Sequence, residues 1–375
     1  MLQTFRKAFQ IEDIRKKILY TLAMLFVVRL GSQLPTPGVD PNYIKDFFAN
    51  QTGETFNFFN AFTGGSFEQM SVFALSITPY ITSSIIMQLL TIAIPKLEEM
   101  QKEGEDGRKK IATITRYVTV GLALIESTAM AVGFGRRGLL EEYNFVNAAI
   151  VVLTLTAGSA FLMWIGERIT EKGVGNGISI VLLINILSRV PSDLTTLYET
   201  FVKGKGLAKG GLAALIILAI ILALVVFTVV LQDAERRIPV QYSQKVQGRR
   251  SVGGQSTNIP LKVNTAGVIP VIFASSIMQF PIVIASFLGK GNGTGIGSEI
   301  LRGLNSGNWC NPSHLQYSWG LIVYIALTVF FAYFYTSITF NPLEIANNMK
   351  KSGGFIPGIR PGKPTVDYLT KILNY

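Results

Sequence analysis

The run PYITSSIIMQ at residues 79–88 returns as PVIFASSIMQ at residues 270–279. At a constant offset of 191, six of ten positions agree: Pro79/Pro270, Ile81/Ile272, Ser84/Ser275, Ile86/Ile277, Met87/Met278 and Gln88/Gln279. An internal repeat constrains the whole architecture, so it is read before anything else. The first copy lies in the apolar segment Val72–Pro95 and the second in Ala266–Leu288. Each carries a Pro within that segment. Pro removes a backbone donor, which a membrane helix tolerates where neighbours or a cavity satisfy the freed groups.

A hydrocarbon core about 30 Å thick needs roughly 20 apolar residues per helix, with a range of about 17–25. Eight segments fit, near Ile18–Leu34, Val72–Pro95, Tyr117–Gly135, Phe145–Gly166, Ile178–Val190, Leu212–Leu231, Ala266–Leu288 and Tyr317–Phe340. Composition agrees: 49% of the 375 residues are apolar and 15% charged, against roughly 25% charged in soluble domains. Mean hydropathy is +0.39. The expected fold is an all-α polytopic membrane bundle. One Cys (Cys310) and one His (His314) exclude a disulfide framework and a Cys/His metal cluster. No cofactor is expected.

The net charge of +11 is too large for random placement in so apolar a chain. With a cytoplasmic N-terminus, the cytoplasmic stretches are 1–17, 95–116, 167–173, 234–263 and 341–375. They hold 24 of the 34 Lys and Arg but only about half of the acids, which is the positive-inside asymmetry. The segment with the first repeat copy then runs outside to inside, and that with the second inside to outside. The repeat is inverted, and inverted halves place a functional path near the midplane between them. The halves are 1–190 and 191–375. The alternative is chance similarity between apolar sequences. If the copies line a path, Ile81 and Ile272 face each other across it; otherwise they are ordinary packing residues.

Arg15-Lys16-Lys17 before the first segment resemble a signal peptide, but no small-x-small cleavage site follows, so the segment is read as retained. Residues 1–17 read either as an interfacial amphipathic helix, with Phe5, Phe9, Ile11 and Ile14 among basic residues, or as a solvated basic tail. Thr55–Ser66, TFNFFNAFTGGS, is apolar but too short to span. It reads as a re-entrant segment or an interfacial outer loop, with Gly64-Gly65 as a flexible turn.

Glu126 falls in the middle of the third segment. A carboxylate there should face the bundle interior and find a partner, with Thr82 and Asn264 as candidates. It marks either a polar seam between separable helices or one satisfied hydrogen bond. No Asp/Glu/His relay continues along other segments, which argues against a proton-coupled transporter, and no His–Glu or Ser–Lys arrangement supports a membrane protease. GVGNGIS (Gly173–Ser179) is a tight loop opening the fifth segment; it lacks the strand and the Lys-Ser/Thr of a phosphate loop. In the basic loops 234–264 and 341–368, Arg249-Arg250 follow Gly248, and Arg360 lies between Pro357-Gly358 and Pro361-Gly362. Such turns hold Arg at a tip. Arg there suits phosphate or carboxylate partners, whether ribosomal RNA, an acidic protein or lipid headgroups.

ITPYITSSIIMQLL, KEGEDGRKKI, WIGERITEKGVGNGISI, the block running from QGRR through QSTNIPLKVNTAGVIPVIFASSI, and KKSGGFIPGIRPGKPT together resemble the SecY/Sec61-alpha family, from about Phe5 to Tyr375. The resemblance implies a protein-conducting channel, not an enzyme, in the bacterial plasma membrane, with two pseudo-symmetric halves. It implies an apolar pore ring at Ile77, Ile81, Ile178, Leu182 and Ile272, Leu182 departing from isoleucine. It implies a plug at Thr55–Ser66, including Phe56, Phe58, Phe59, Phe62, Gly64 and Gly65. A lateral gate at Thr82, Glu126 and Asn264 would admit signal peptides and release apolar segments of nascent chains into the lipid bilayer. Arg249, Arg250 and Arg360 would dock the ribosome or the SecA ATPase, and SecE and SecG would be partner subunits. The family has ten spans; VDYLTKILNY resembles the lead-in to the ninth, so the sequence is read as stopping short of the last two.

Overall fold

A computed structural model describes residues 9–39, 63–135, 143–203, 207–242, 245–247, 250–252, 256–287, 296–305, 308–309, 315–340 and 342–373. It is mostly helical and divides into two compact units, residues 1–196 with 276–322 and residues 197–275 with 323–375.

In the first unit, α1 (Glu12–Gly31) is followed by α2 (Thr78–Ala93), α3 (Pro95–Lys102), α4 (Glu105–Gly135), α5 (Phe145–Lys172) and α6 (Gly177–Phe201). The central helix is α5. Val151, Leu155, Gly158, Leu162, Ile165 and Ile169 are all buried, a three-to-four-residue spacing that puts them on one stripe. One end of the stripe packs with Ala123, Met130 and Ala131 of α4. The other packs with Val28 of α1 and Val181 of α6. Hydroxyls tie the helices where backbones come close, as small polar residues do in membrane bundles: Ser127 Oγ meets Thr156 Oγ1 at 2.9 Å, and Ser83 Oγ meets Thr119 Oγ1.

The repeat's prolines do not interrupt helices. Pro79 is the second residue of α2, and Pro270 the second of α8 (Ile269–Phe287). Both occupy a first turn, where no N–H is needed and a fixed φ helps. The expected second span beginning at Val72 is therefore corrected. Thr63–Ile77 is a chain of turns, almost entirely buried, and the helix starts only at Thr78. Irregular backbone at membrane depth survives only inside protein or along a cavity. Here the Met70 carbonyl accepts from Thr36 N and the Leu34 carbonyl from Val72 N, each at 2.9 Å. Real breaks occur elsewhere: Pro95 separates α2 from α3 by a 106° bend, while α6 carries Pro191 through its interior and runs on to Phe201.

Among the described residues four helices are long and apolar enough to cross a membrane alone, and α2 with α3 passes as a bent pair. Each of the eight expected segments contains a helix, but α1, α4 and α8 fall outside that test. Residues 12–17 belong to α1; Phe9 and Gln10 are helical and separated from it by the extended Ile11, and the rest of the expected interfacial segment lies outside the described residues. GVGNGIS is the expected tight loop: Asn176 Oδ1 accepts from Ile178 N and Ser179 N at 3.1 and 3.3 Å, capping α6.

The second unit holds α7 (Leu207–Asp233), whose apolar surface is unburied by the rest of the chain. Then come β1 (Glu235–Tyr242), β2 (Lys245–Gln247), β3 (Arg250–Val252) and β4 (Ser256–Lys262). β1 pairs antiparallel with β4 from Glu235↔Lys262 to Gln241↔Ser256, and β2 pairs with β3. Beyond α8 the chain continues through α9 (Ile296–Leu304), a 3₁₀ turn (Leu315–Ser318), α10 (Trp319–Thr339), α11 (Pro342–Lys351), β5 (Gly354–Phe355) and α12 (Lys363–Leu373). β5 adds to the free edge of β1, giving the order β4-β1-β5. Ile238, Val240 and Leu261 of the strands pack with Met349, Ile356 and Leu369. The two basic loops, read separately in the sequence, thus share one hydrophobic core.

Candidate functional site

The approach to α2 is tightly constrained. Ser76 has φ +51°, a left-handed conformation uncommon outside Gly. It is buried and held twice: its carbonyl accepts from Ser159 Oγ of α5 at 3.2 Å, and its hydroxyl from Asn185 Nδ2 of α6 at 3.1 Å. Strain of this kind persists where surrounding structure over-determines it. Sequence reading passed over Asn185. Its signal was a lone amide in the apolar run VLLINILS.

Ile77 follows and is 1% exposed, packed with Val28, Phe73, Leu162, Ile165, Ile169 and Val181. Ile81 and Ile178 pack half-buried against the same cluster. Leu182, one turn along α6, is also half-buried. Ile272, in the first turn of α8 in the second unit, has the same partial exposure. Partial burial leaves these four side chains an apolar face to offer, whereas Ile77 is fully engaged in packing.

Of the plug positions, Phe56, Phe58, Phe59 and Phe62 lie outside the described residues. Gly64 and Gly65 have φ +66° and +85°. A Cβ on Gly64 would lie 2.7 Å from the Asn185 carbonyl oxygen and 2.8 Å from Ser188 Oγ, so the turn is pressed against α6. At the gate positions, the polar atoms expected to meet Glu126 act locally. Thr82 Oγ1 donates to the Thr78 carbonyl at 3.1 Å, and Asn264 Oδ1 accepts from Gly267 N at 3.0 Å. Among the described residues no hydrogen bond joins Thr82 to Glu126; Thr82 and Asn264 each serve the backbone beside them, as short polar side chains do. Glu126 itself is half-buried on α4.

Arg360 is exposed and tightly framed. Ile359 N donates to the Ile356 carbonyl at 3.0 Å across Pro357-Gly358, with Gly358 at φ +83°, the signature of a type II turn. Gly362 has φ +113°, and Thr365 Oγ1 donates to the Arg360 carbonyl at 3.0 Å. Arg250 opens β3 opposite Gln247; Arg249 lies outside the described residues. No group of three or more His, Cys, Asp or Glu among the described residues could hold a metal.

These features define a multi-pass helical membrane protein with a largely buried, turn-rich segment leading into α2 and a folded basic platform. Residues 71–375 match the SecY family model. The protein translocase subunit SecY of Corynebacterium glutamicum is 44% identical over 386 residues, covering 98% of this chain and 83% of that protein. The fold resembles a solved protein-conducting channel at TM-score 0.60 and 18% identity, covering 96% of this chain and 81% of that one. It also resembles Sec61 in the canine ribosome–channel complex from the endoplasmic reticulum, at TM-score 0.56 and 18% identity, with the same coverage. The chain belongs to the SecY family. It is a protein-conducting channel subunit, not a catalytic enzyme.

Proposed function

We infer that this subunit passes unfolded secretory chains across the bacterial plasma membrane and releases their apolar segments sideways into the bilayer, with its N-terminus cytoplasmic. The observation that carries the reading is the largely buried, turn-rich Thr63–Ile77 segment leading into α2: irregular backbone in a membrane bundle is tolerated where protein buries it or where it lines a cavity, and a path beside α2 accounts for it. Ile81, Ile178, Leu182 and Ile272 supply an apolar collar, with Ile77 packed behind it. A narrow apolar constriction resists wetting and holds back ions when empty. Thr55–Ser66 acts as the plug. Signal peptides enter through the lateral gate carried over to Thr82, Glu126 and Asn264. Arg249, Arg250 and Arg360 dock the driver, a ribosome contacted through its RNA or the SecA ATPase, and SecE and SecG complete the complex. The test is crosslinking of a stalled secretory chain to single cysteines at positions 81 and 272. Adducts at both positions support the path; adducts at neither overturn it.

A further inference from the structure

Within the first unit, three aromatic side chains and one carboxylate gather where α9 meets the start of α10. Two glycines allow the approach. A Cβ on Gly303 would lie 2.3 Å from the Trp319 ring, and one on Gly320 would lie 1.8 Å from the Gly303 carbonyl oxygen and 2.5 Å from Trp309 Nε1. Trp309 Nε1 donates to the Gly303 carbonyl at 2.8 Å. The Tyr317 hydroxyl points to both carboxylate oxygens of Glu299, each at 3.4 Å. Beside them opens a cleft of about 230 Å³ lined by Glu299, Ile300, Gln316, Tyr317 and Trp319.

Among the described residues no Lys or Arg forms a salt bridge with Glu299. An un-neutralised carboxylate beside an indole and a phenol is complementary to an ammonium group, which a ring face also attracts. Ile300 lines the cleft and is 48% exposed; Leu315, next to Gln316, and Ile322, one turn past Trp319, are 67% and 69% exposed. Leu315–Ser337 is long and apolar enough to span, so the cleft sits at a span's end, the depth where headgroups meet acyl chains and where Trp and Tyr concentrate. Arg302 is exposed one turn from Glu299 on α9, and its guanidinium suits a phosphate.

We propose that this cleft binds the zwitterionic headgroup of a phosphatidylethanolamine-type lipid. Glu299 and Trp319 take the ammonium, Arg302 takes the phosphate, and the acyl chains lie over Ile300, Leu315 and Ile322. The proposal rests on α10 spanning the bilayer and not on the channel reading.

The assembled translocase carrying Trp164→Phe, reconstituted in vesicles, leaves Trp309 and Trp319 as this subunit's tryptophans. Quenching by phosphatidylethanolamine brominated along its acyl chains is compared with quenching by equally brominated phosphatidylglycerol. The expected preference for the ethanolamine lipid is about two- to fivefold, the size of one exposed cation–π contact with an ion pair. Glu299→Gln should erase the preference while both lipids still quench, which also reports that the region remains folded and in the membrane. Equal quenching in the parent, or a preference unchanged in Glu299→Gln, overturns the site. No quenching by either lipid means that a protein partner covers the face, and overturns it too.

Discussion

Asn185 of α6 donates to the hydroxyl of Ser76, at 3.1 Å, and so ties a membrane helix to the one strained residue directly before Ile77. Both residues are nearly fully buried. The same Asn185 supplies, through its carbonyl, the surface on which Gly64 turns. One position on α6 therefore touches both ends of the irregular segment that leads into the second span.

Replacing Asn185 by Leu should loosen that segment. It removes the hydrogen bond and leaves the buried Ser76 hydroxyl without its donor, a change worth about 1–3 kcal/mol. The detergent-solubilised complex should melt earlier, and resting vesicles should leak ions faster. A double-mutant cycle with Ser76→Ala isolates the pair. Additive effects of the two substitutions would deny the coupling.

Close backbone approach gives a sharper contrast. A Cβ on Gly158 would lie 2.0 Å from the Val72 carbonyl oxygen, whereas one on Gly121 meets nothing within 4 Å. Gly158→Ala must push α5 away from the turn segment, at a cost of about 3 kcal/mol. Gly121→Ala should be neutral or slightly stabilising, since Ala is the better helix former. Thermal unfolding of the two variants side by side checks this, and equal melting would contradict the packing described here.

Much of this was readable along the chain because membrane helices satisfy their own backbones, so apolar length alone marks them. The placement of Pro79 was not. A proline inside an apolar run looks the same whether it opens a helix or breaks one. The answer lies in Ser159 and Asn185, far away in sequence, which hold the carbonyl and hydroxyl just upstream. The basic platform was hidden similarly. The alternation of Ile238 with Val240 and of Ile259 with Leu261 is a strand signal, but its burial depends on Met349, Ile356 and Leu369 from the other loop. Glu126 shows the limit of such reading: a membrane carboxylate invites nearby polar side chains as partners, yet the Thr82 hydroxyl bonds to its own backbone.

For the platform, Arg360→Glu should reduce motor-driven export about tenfold, the loss expected for one charge-assisted contact of about 1.5 kcal/mol. Arg360→Lys should recover part of it, because Lys keeps the charge but not the bidentate fork. Thr365→Val removes only the bond that braces the Arg360 carbonyl and should give a smaller loss. Export by inner-membrane vesicles with normal subunit levels reads all three. Full activity in Arg360→Glu would remove this tip from the docking surface.

The proposed collar makes a prediction that separates lining from packing. Ile77 is the N-cap of α2, and Ile81 N donates to its carbonyl at 3.0 Å four residues on. Their burial differs: Ile77 is 1% exposed among α1, α5 and α6 side chains, while Ile81 keeps a partly exposed face. A polar side chain at Ile81 should let water into the constriction, raising resting ion flux through vesicles without much change in melting temperature. A polar side chain at Ile77 should act through the core instead, lowering stability by about 2–4 kcal/mol as buried apolar groups are lost and a polar one goes unpaired. Cysteines carry the same logic. With Cys310 replaced, a stalled translocating chain should crosslink to position 81 and not to position 77. If position 77 crosslinked as strongly as position 81, the collar would have to include it, and the packing seen around Ile77 would have to open whenever a chain passes.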